Sequence, residues 1–330
     1  MKYIQPVLKP AVQQSVSGGA TALRYRGQEL TLQLDETRLF DRMRRTLTSP
    51  RTLAVSSYLD ATQSDVEWLL TQLDHAHMLV EGANWSTVPG LLSGEQAFWL
   101  LEADACHLKF GDTDASLRHD LEALIARGEV RQEVAQGWLV ELGYLLRQVP
   151  QELSLAVSSA QDEDLREQYV EFFKEECDHG RMMYDKLKDW IAPEHLLKMR
   201  PLPSTLGVLN MYRSLASEGP LAYAVALMHD ESTLLDPMLT KDSDPYAGLR
   251  KYYQVPAPVV DIFEWHAHLD RGCEHGFFPL EIFRRFRWVE TRTVDLLRQR
   301  MLSLFETHAL WRRELVNYFS TYSLAERIPR

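Results

Sequence analysis

The sequence predicts a mainly α protein, an up-and-down helical bundle preceded by a small α+β domain. Three observations predict it. From about residue 90 onward apolar residues recur at helical spacing and no strand pattern is found. Prolines at 150, 193, 201, 203, 256 and 258 break that region into segments of helix length. Before it, Ala22 to Leu34 holds two short alternating runs around Arg26-Gly27-Gln28, the pattern of a β-hairpin.

Taken in order, residues 1–20 are polar or small, without periodicity, and are expected to form a loose arm. After the hairpin, Asp35 can cap a helix with Leu39, Phe40 and Met43 on its inner face. A second short helix is expected after Ser49-Pro50. Ser64 then precedes a helix whose stripe is Val66, Leu69, Leu70 and Leu73. Gly82 to Gly94 is rich in Gly, Ser and Pro and marks the expected boundary, giving domains 1–90 and 91–330. Ser93 with Gln96 forms a capping-box pattern ahead of a helix to Lys109. Helices are then expected over 117–127, 130–149 (stopped by Pro150), 151–159, 164–190, 206–235 and about 259–278, with one or two more over 280–322.

Composition narrows the function classes. A net charge of −11 lacks the basic footprint of a nucleic-acid or anionic-membrane binder. The chain shows neither a signal-type start nor an apolar run near 18 residues, so a cytoplasmic protein is expected. Cys106, Cys177 and Cys273 are odd in number and far apart, against a disulfide framework or a zinc knuckle.

Chemistry concentrates in three stretches. In 164–190, Glu176 and His179 stand three apart, on one face of a helix, beside Glu175. Such a Glu-x-x-His pair is used by bundles that hold two iron or manganese ions, although a solvated acidic turn with a surface histidine has the same spelling. In Leu215 to Met228, Glu218 is the single acid among small and apolar residues. Burial would require it to be protonated, paired or ligating. Gly219-Pro220 also allows it to be a plain helix-end carboxylate, and Glu231 is the alternative on the following turns. The third stretch, Ile262 to Gly276, gathers His266, His268, Asp270 and His275. His266 and Asp270 share a face, but His266 and His275 converge only if the helix is distorted, for which Gly272 is a candidate site.

On these residues the span from about Ser93 to Gly276 resembles the heme-oxygenase-like superfamily, in particular its diiron oxidase and oxygenase branch. The match runs through Gly128-Glu129-Val130 to Pro150, Glu175 to Gly180, Glu218 or Glu231, and the start of a His-x-x-x-Asp-x-x-His-Gly element at His266 and Asp270. Two extra residues separate Asp270 from His275-Gly276. The resemblance implies Fe(II), two ions, with Mn as the alternative and O2 as co-substrate. They would be held by Glu176, His179, Glu218, Asp270, His275 and either His266 or His268, with Glu176, His179 and Glu218 catalytic. It implies oxidation of a small amine, amino acid or fatty acid in a biosynthetic pathway, with Tyr169, Tyr184, Tyr223 and Trp265 as candidate cavity walls. Pyrroloquinoline quinone synthase and thiaminase II share this fold without the metal, so a metal-free enzyme, with Cys177 as a candidate nucleophile, is the first alternative. Residues 20–85 resemble a winged helix of the PqqD-like kind that holds peptides. This implies a peptide or carrier as partner beside the small-molecule substrate, or a regulatory protein with a degenerate bundle. A homodimer is a further option.

Overall fold

The structure is a computed structural model that describes residues 3–26, 28–48, 62–110, 121–231, 244–272 and 277–327. The side chains of Arg45, Lys109, Phe110, Asp230, Glu231, Asp270 and Arg271 also lie outside the description. The chain divides into two compact units, residues 1–111 with 286–296, and residues 112–285 with 297–330. Mainly α architecture is what the sequence predicts. The division is not, because the first unit continues to Gly111 and takes in a helix assigned above to the bundle.

In the first unit, β1 (Pro6–Leu8) pairs antiparallel with β5 (Leu79–Glu81), and β2 (Gln13–Ser17), β3 (Ala20–Tyr25) and β4 (Gln28–Leu32) form a meander in that order. The expected hairpin is β3–β4. Its inward positions Thr21, Leu23, Tyr25 and Leu32 are buried, as period-two alternation requires. Tyr25 faces Gln28 across a two-residue loop whose first residue, Arg26, has a φ of 47°, the left-handed conformation of a primed hairpin turn. The loose arm is a misreading, since it supplies β1 and β2. β2, QQSVS, is exposed along its whole length and carries no apolar alternation to reveal it.

Helix α1 (Leu34–Leu47) starts one residue before Asp35. Gln33 caps it, with Glu36 returning the bond to the Gln33 amide. Helix α2 (Gln63–His75) is capped by Thr62 with Asp65, not by Ser64. The predicted inner faces hold: Leu39, Phe40 and Met43 meet Val66, Leu69, Leu70 and Leu73 in one core with Leu23 and Leu32. The short helix expected after Pro50 lies outside the described residues. Helix α3 (Gly94–Phe110) has the predicted capping box between Ser93 and Gln96. The two-residue pair β6 (Leu91–Leu92) and β7 (Val289–Glu290) ties its start to residues two hundred positions away. That pairing explains why a stretch spelled like a linker is not a domain boundary.

The second unit is all helix among the described residues: α4 (Leu121–Arg127), α5 (Gln132–Leu146), α6 (Val149–Ser159), α7 (Glu163–Glu176), α8 (His179–Lys186), α9 (Pro193–Lys198), α10 (Pro203–Glu218), α11 (Pro220–Glu231), α12 (Pro245–Tyr252), α13 (Ala257–Gly272), α14 (Phe278–Arg284) and residues 297–319 of α15 (Thr291–Phe319). Prolines sit in the first turn of α6, α9, α10, α11, α12 and α14, where a missing N–H costs nothing. Pro150 thus opens a helix as well as ending one. The helix expected over 164–190 is two, interrupted at Cys177-Asp178. Helix α8 packs on α5 and on α13, which brings the first and third chemical stretches of the sequence together. No helix of the described residues is long and apolar enough to cross a membrane.

The approach of α8 to α5 depends on Gly180. A Cβ there would overlap the backbone carbonyl of Leu146 and come within 2.8 Å of the Arg147 nitrogen. Gly180→Ala is therefore expected to destabilise the protein by about 1–3 kcal/mol, because backbone cannot rotate aside as a side chain can. Gly207→Ala, where a Cβ meets nothing within 4 Å inside α10, should be neutral or slightly stabilising. Thermal melts of the two variants make the comparison.

Candidate metal centre

Glu176 ends α7, His179 begins α8, and His266 lies near the middle of α13. The interrupted helix keeps the three-residue relation because Cys177 and Asp178 stay close to helical dihedrals. Glu176 Oε2 stands 3.1 Å from His179 Nδ1 and 3.6 Å from His266 Nε2. One ligand atom from each residue lies within 4.8 Å of the others. The His179 and His266 rings are nearly perpendicular, 5.2 Å between centres, and Trp265 meets His179 edge-on at 5.8 Å.

Two donors in adjacent positions on one ion, each about 2.1 Å from it, are about 3.0 Å apart in an octahedron and somewhat farther apart in a tetrahedron. The separations of 3.1 and 3.6 Å therefore suit a shared ion without rearrangement of the helices. The set is one carboxylate and two imidazoles, a donor mixture suited to iron, manganese or zinc. Side-chain exposures of 9, 14 and 12% for Glu176, His179 and His266 mean that bulk water does not hydrate the carboxylate freely. Without an ion, a Glu176 to His179 hydrogen bond offsets part of that loss.

Other candidates fall elsewhere. Glu218 is not buried in an apolar run. It closes α10, where Gly219 turns the chain with a φ of 132°, and binds Arg300 Nε at 2.9 Å and Ser214. A carboxylate at a helix C-terminus opposes the macrodipole, and Arg300 offsets this, so Glu218 is an ion-paired helix end and not a member of the cluster. His268 and Glu175 are exposed. Of His266 and His268, it is His266 that lies beside Glu176: Phe263 is buried, His266 follows three residues on along the same face, and His268 is exposed. The side chains of Glu231 and Asp270, and His275 and Cys273 altogether, lie outside the described residues. Tyr169 and Tyr223 are fully buried against each other, the Tyr169 hydroxyl donating to the Pro220 carbonyl, while Tyr184 packs on Tyr144. Trp265 is the exposed member of the expected aromatic wall. The Cys177 thiol is free and directed at the Lys174 carbonyl.

A buried acid absent from the sequence expectations is Glu141. Arg327 binds one of its oxygens, and the Leu202 amide, at 3.0 Å, and the Thr205 hydroxyl bind the other. Burial raises its pKa, with Arg327 pulling the other way. The signal was there to read, since Glu141 is the lone acid between Val134 and Leu146.

Residues 112–257 match the TENA/THI-4/PQQC family, a domain of the heme-oxygenase-like superfamily. The matched span begins where the second unit begins, includes Glu176 and His179, and ends before His266. No curated protein matches the chain.

Proposed function

We propose that this protein is a non-heme iron-dependent oxidoreductase that uses O2 on a small amine, amino-acid or fatty-acid-like substrate in a cytoplasmic biosynthetic pathway. The observation that carries the reading is the convergence of Glu176, His179 and His266 from three helices on one point. Glu176, His179 and His266 would hold the ion with three donors, leaving positions for other ligands, as oxygen-using iron enzymes require. When bound, ferrous iron supplies the electrons that allow O2 to react with an organic molecule.

The chain's own residues hold and shield. Glu176 brings the negative charge that favours a divalent cation. Each imidazole would ligate as the neutral base, so the ion competes with protons for it. Trp265 packs on the His179 ring and limits its rotation. A second ion would draw on Asp270, His275 and Glu231. Glu218 is engaged by Arg300 and is not counted among its ligands.

The metal-free alternative is favoured by one contact, the Glu176 to His179 hydrogen bond, which needs no ion and has the free thiol of Cys177 beside it. Anaerobic loading with ferrous iron, followed by oxygen-electrode measurement with panels of amines, amino acids and fatty acids, tests the oxidase reading. Oxygen uptake that requires both iron and one substrate class supports it. Turnover by protein stripped of iron, lost in Cys177→Ser, supports the alternative. For the first unit we propose a peptide or carrier as partner. The support is the exposed edge strand β2, which among the described residues pairs with β3 alone and so offers its other side to a further strand.

A further inference from the structure

The first unit contains a buried polar cluster that the metal chemistry does not use. Lys9 Nζ stands 3.2 Å from the Tyr25 hydroxyl and lies over two rings, 4.5 Å from the centre of Tyr25 and 4.4 Å from that of Trp99. The Tyr25 hydroxyl donates to Glu102 Oε1 at 2.6 Å, and Arg26 Nε donates to the same oxygen at 2.7 Å. Arg26 does so from the left-handed turn position, a conformation that costs a non-glycine residue energy. Trp99, Glu102 and Cys106 follow at spacings of three and four along one face of α3.

Two atoms of this cluster are orphaned. Glu102 is 1% exposed, yet its Oε2 has no hydrogen-bond partner among the described residues, and neither has Trp99 Nε1. A buried carboxylate oxygen left bare is costly, and a buried indole N–H usually finds an acceptor. One acceptor and one donor a single helical turn apart suit a ligand oxygen bearing a proton, which can donate to the first and accept from the second. The amine beside them is the remaining reactive group.

We propose that Lys9 is a nucleophilic amine that takes a small aldehyde or ketone, held as an imine beside Tyr25, Trp99 and Glu102. The neutral Nζ adds its lone pair to the carbonyl carbon, and the carbonyl π electrons move to oxygen, which gains a proton. The two nitrogen protons pass one after the other to the Tyr25 oxygen as that hydroxyl gives its own to Glu102, and Glu102 hands each on to the former carbonyl oxygen, which becomes first a hydroxyl and then water. Departure of the hydroxyl as water leaves the C=N bond, one water per ligand and no change of oxidation state. Burial pushes the Lys9 amine down to about 8; Glu102, Cys106 and Asp74 oppose this and Arg26 adds to it. At pH 7.5 about a quarter of such an amine is the free base, against about one part in a thousand for an ordinary lysine.

The test is reductive alkylation of the full chain with acetaldehyde and cyanoborohydride at pH 7.5, read by peptide mass spectrometry. Lys9 is expected to be alkylated on the order of tenfold faster than the exposed Lys174 and Lys188, with a rate that levels off above about pH 8. Tyr25→Phe should slow Lys9 severalfold and leave the other two unchanged. An ammonium that merely packs over the rings would be modified no faster than Lys174, and its rate would climb to about pH 10. Either result overturns the proposal.

Discussion

His266→Ala is expected to abolish ferrous-iron binding while leaving the helical circular dichroism signal nearly unchanged, and Glu176→Ala and His179→Ala should do the same. Changes that only disturb groups around a metal's ligands weaken affinity by about 10–100-fold, so loss of one of three donors should exceed 100-fold. Fold survives because none of the three side chains spans a core: each lies at a helix end or on the α8 to α13 face. Controls come from the same elements. His268→Ala, two residues along α13, and Glu218→Ala, at the end of α10, should bind iron as the wild type does, as measured by anaerobic titration. Exposed pairs such as Glu218 with Arg300 are worth about 1 kcal/mol or less, so the second control should also fold normally.

Arg327→Met should have the largest effect on stability, a loss of about 3–5 kcal/mol. The guanidinium is 7% exposed and its partner Glu141 is fully buried, so the substitution strands a carboxylate in the core. Arg327 also bonds the Arg200 carbonyl and lies over the Tyr318 and Phe319 rings, fastening the C-terminal segment to α5 and to the start of α10. The sign of the pH dependence follows from the raised pKa of Glu141. Between the ordinary carboxylate value and the raised one, the folded state holds a proton that the unfolded state has released, so stability falls as pH climbs through that window. Without Arg327 the pKa rises further and the window widens. Denaturant titrations should therefore show a smaller deficit at pH 5 than at pH 7.5. Equal deficits would mean that Glu141 is solvated in the variant.

What the sequence made legible was local. Three-residue spacing survives the interruption at Cys177-Asp178, so Glu176 and His179 could be paired by counting. The capping box at Ser93 and the stripes of α1 and α2 could be read the same way. What it hid was non-local. Glu218 looks like a buried ligand because Arg300, which neutralises it, is 82 positions away. Residues 82–94 look like a linker because the strand that pairs with Leu91 and Leu92 comes from Val289 and Glu290. β2 has no apolar face and is held by backbone bonds to β3, which leave no trace in hydropathy. The choice of His266 over His268 lay between these cases, since it follows once Phe263 is known to face inward.

X-ray absorption at the iron edge of the anaerobically loaded protein tests the metal centre most directly. Two imidazole nitrogens and carboxylate oxygen at about 2.1 Å are predicted, with the imidazole signal lost from the His179→Ala/His266→Ala double variant. A spectrum of oxygen ligands alone, or one that the double variant leaves unchanged, would contradict it.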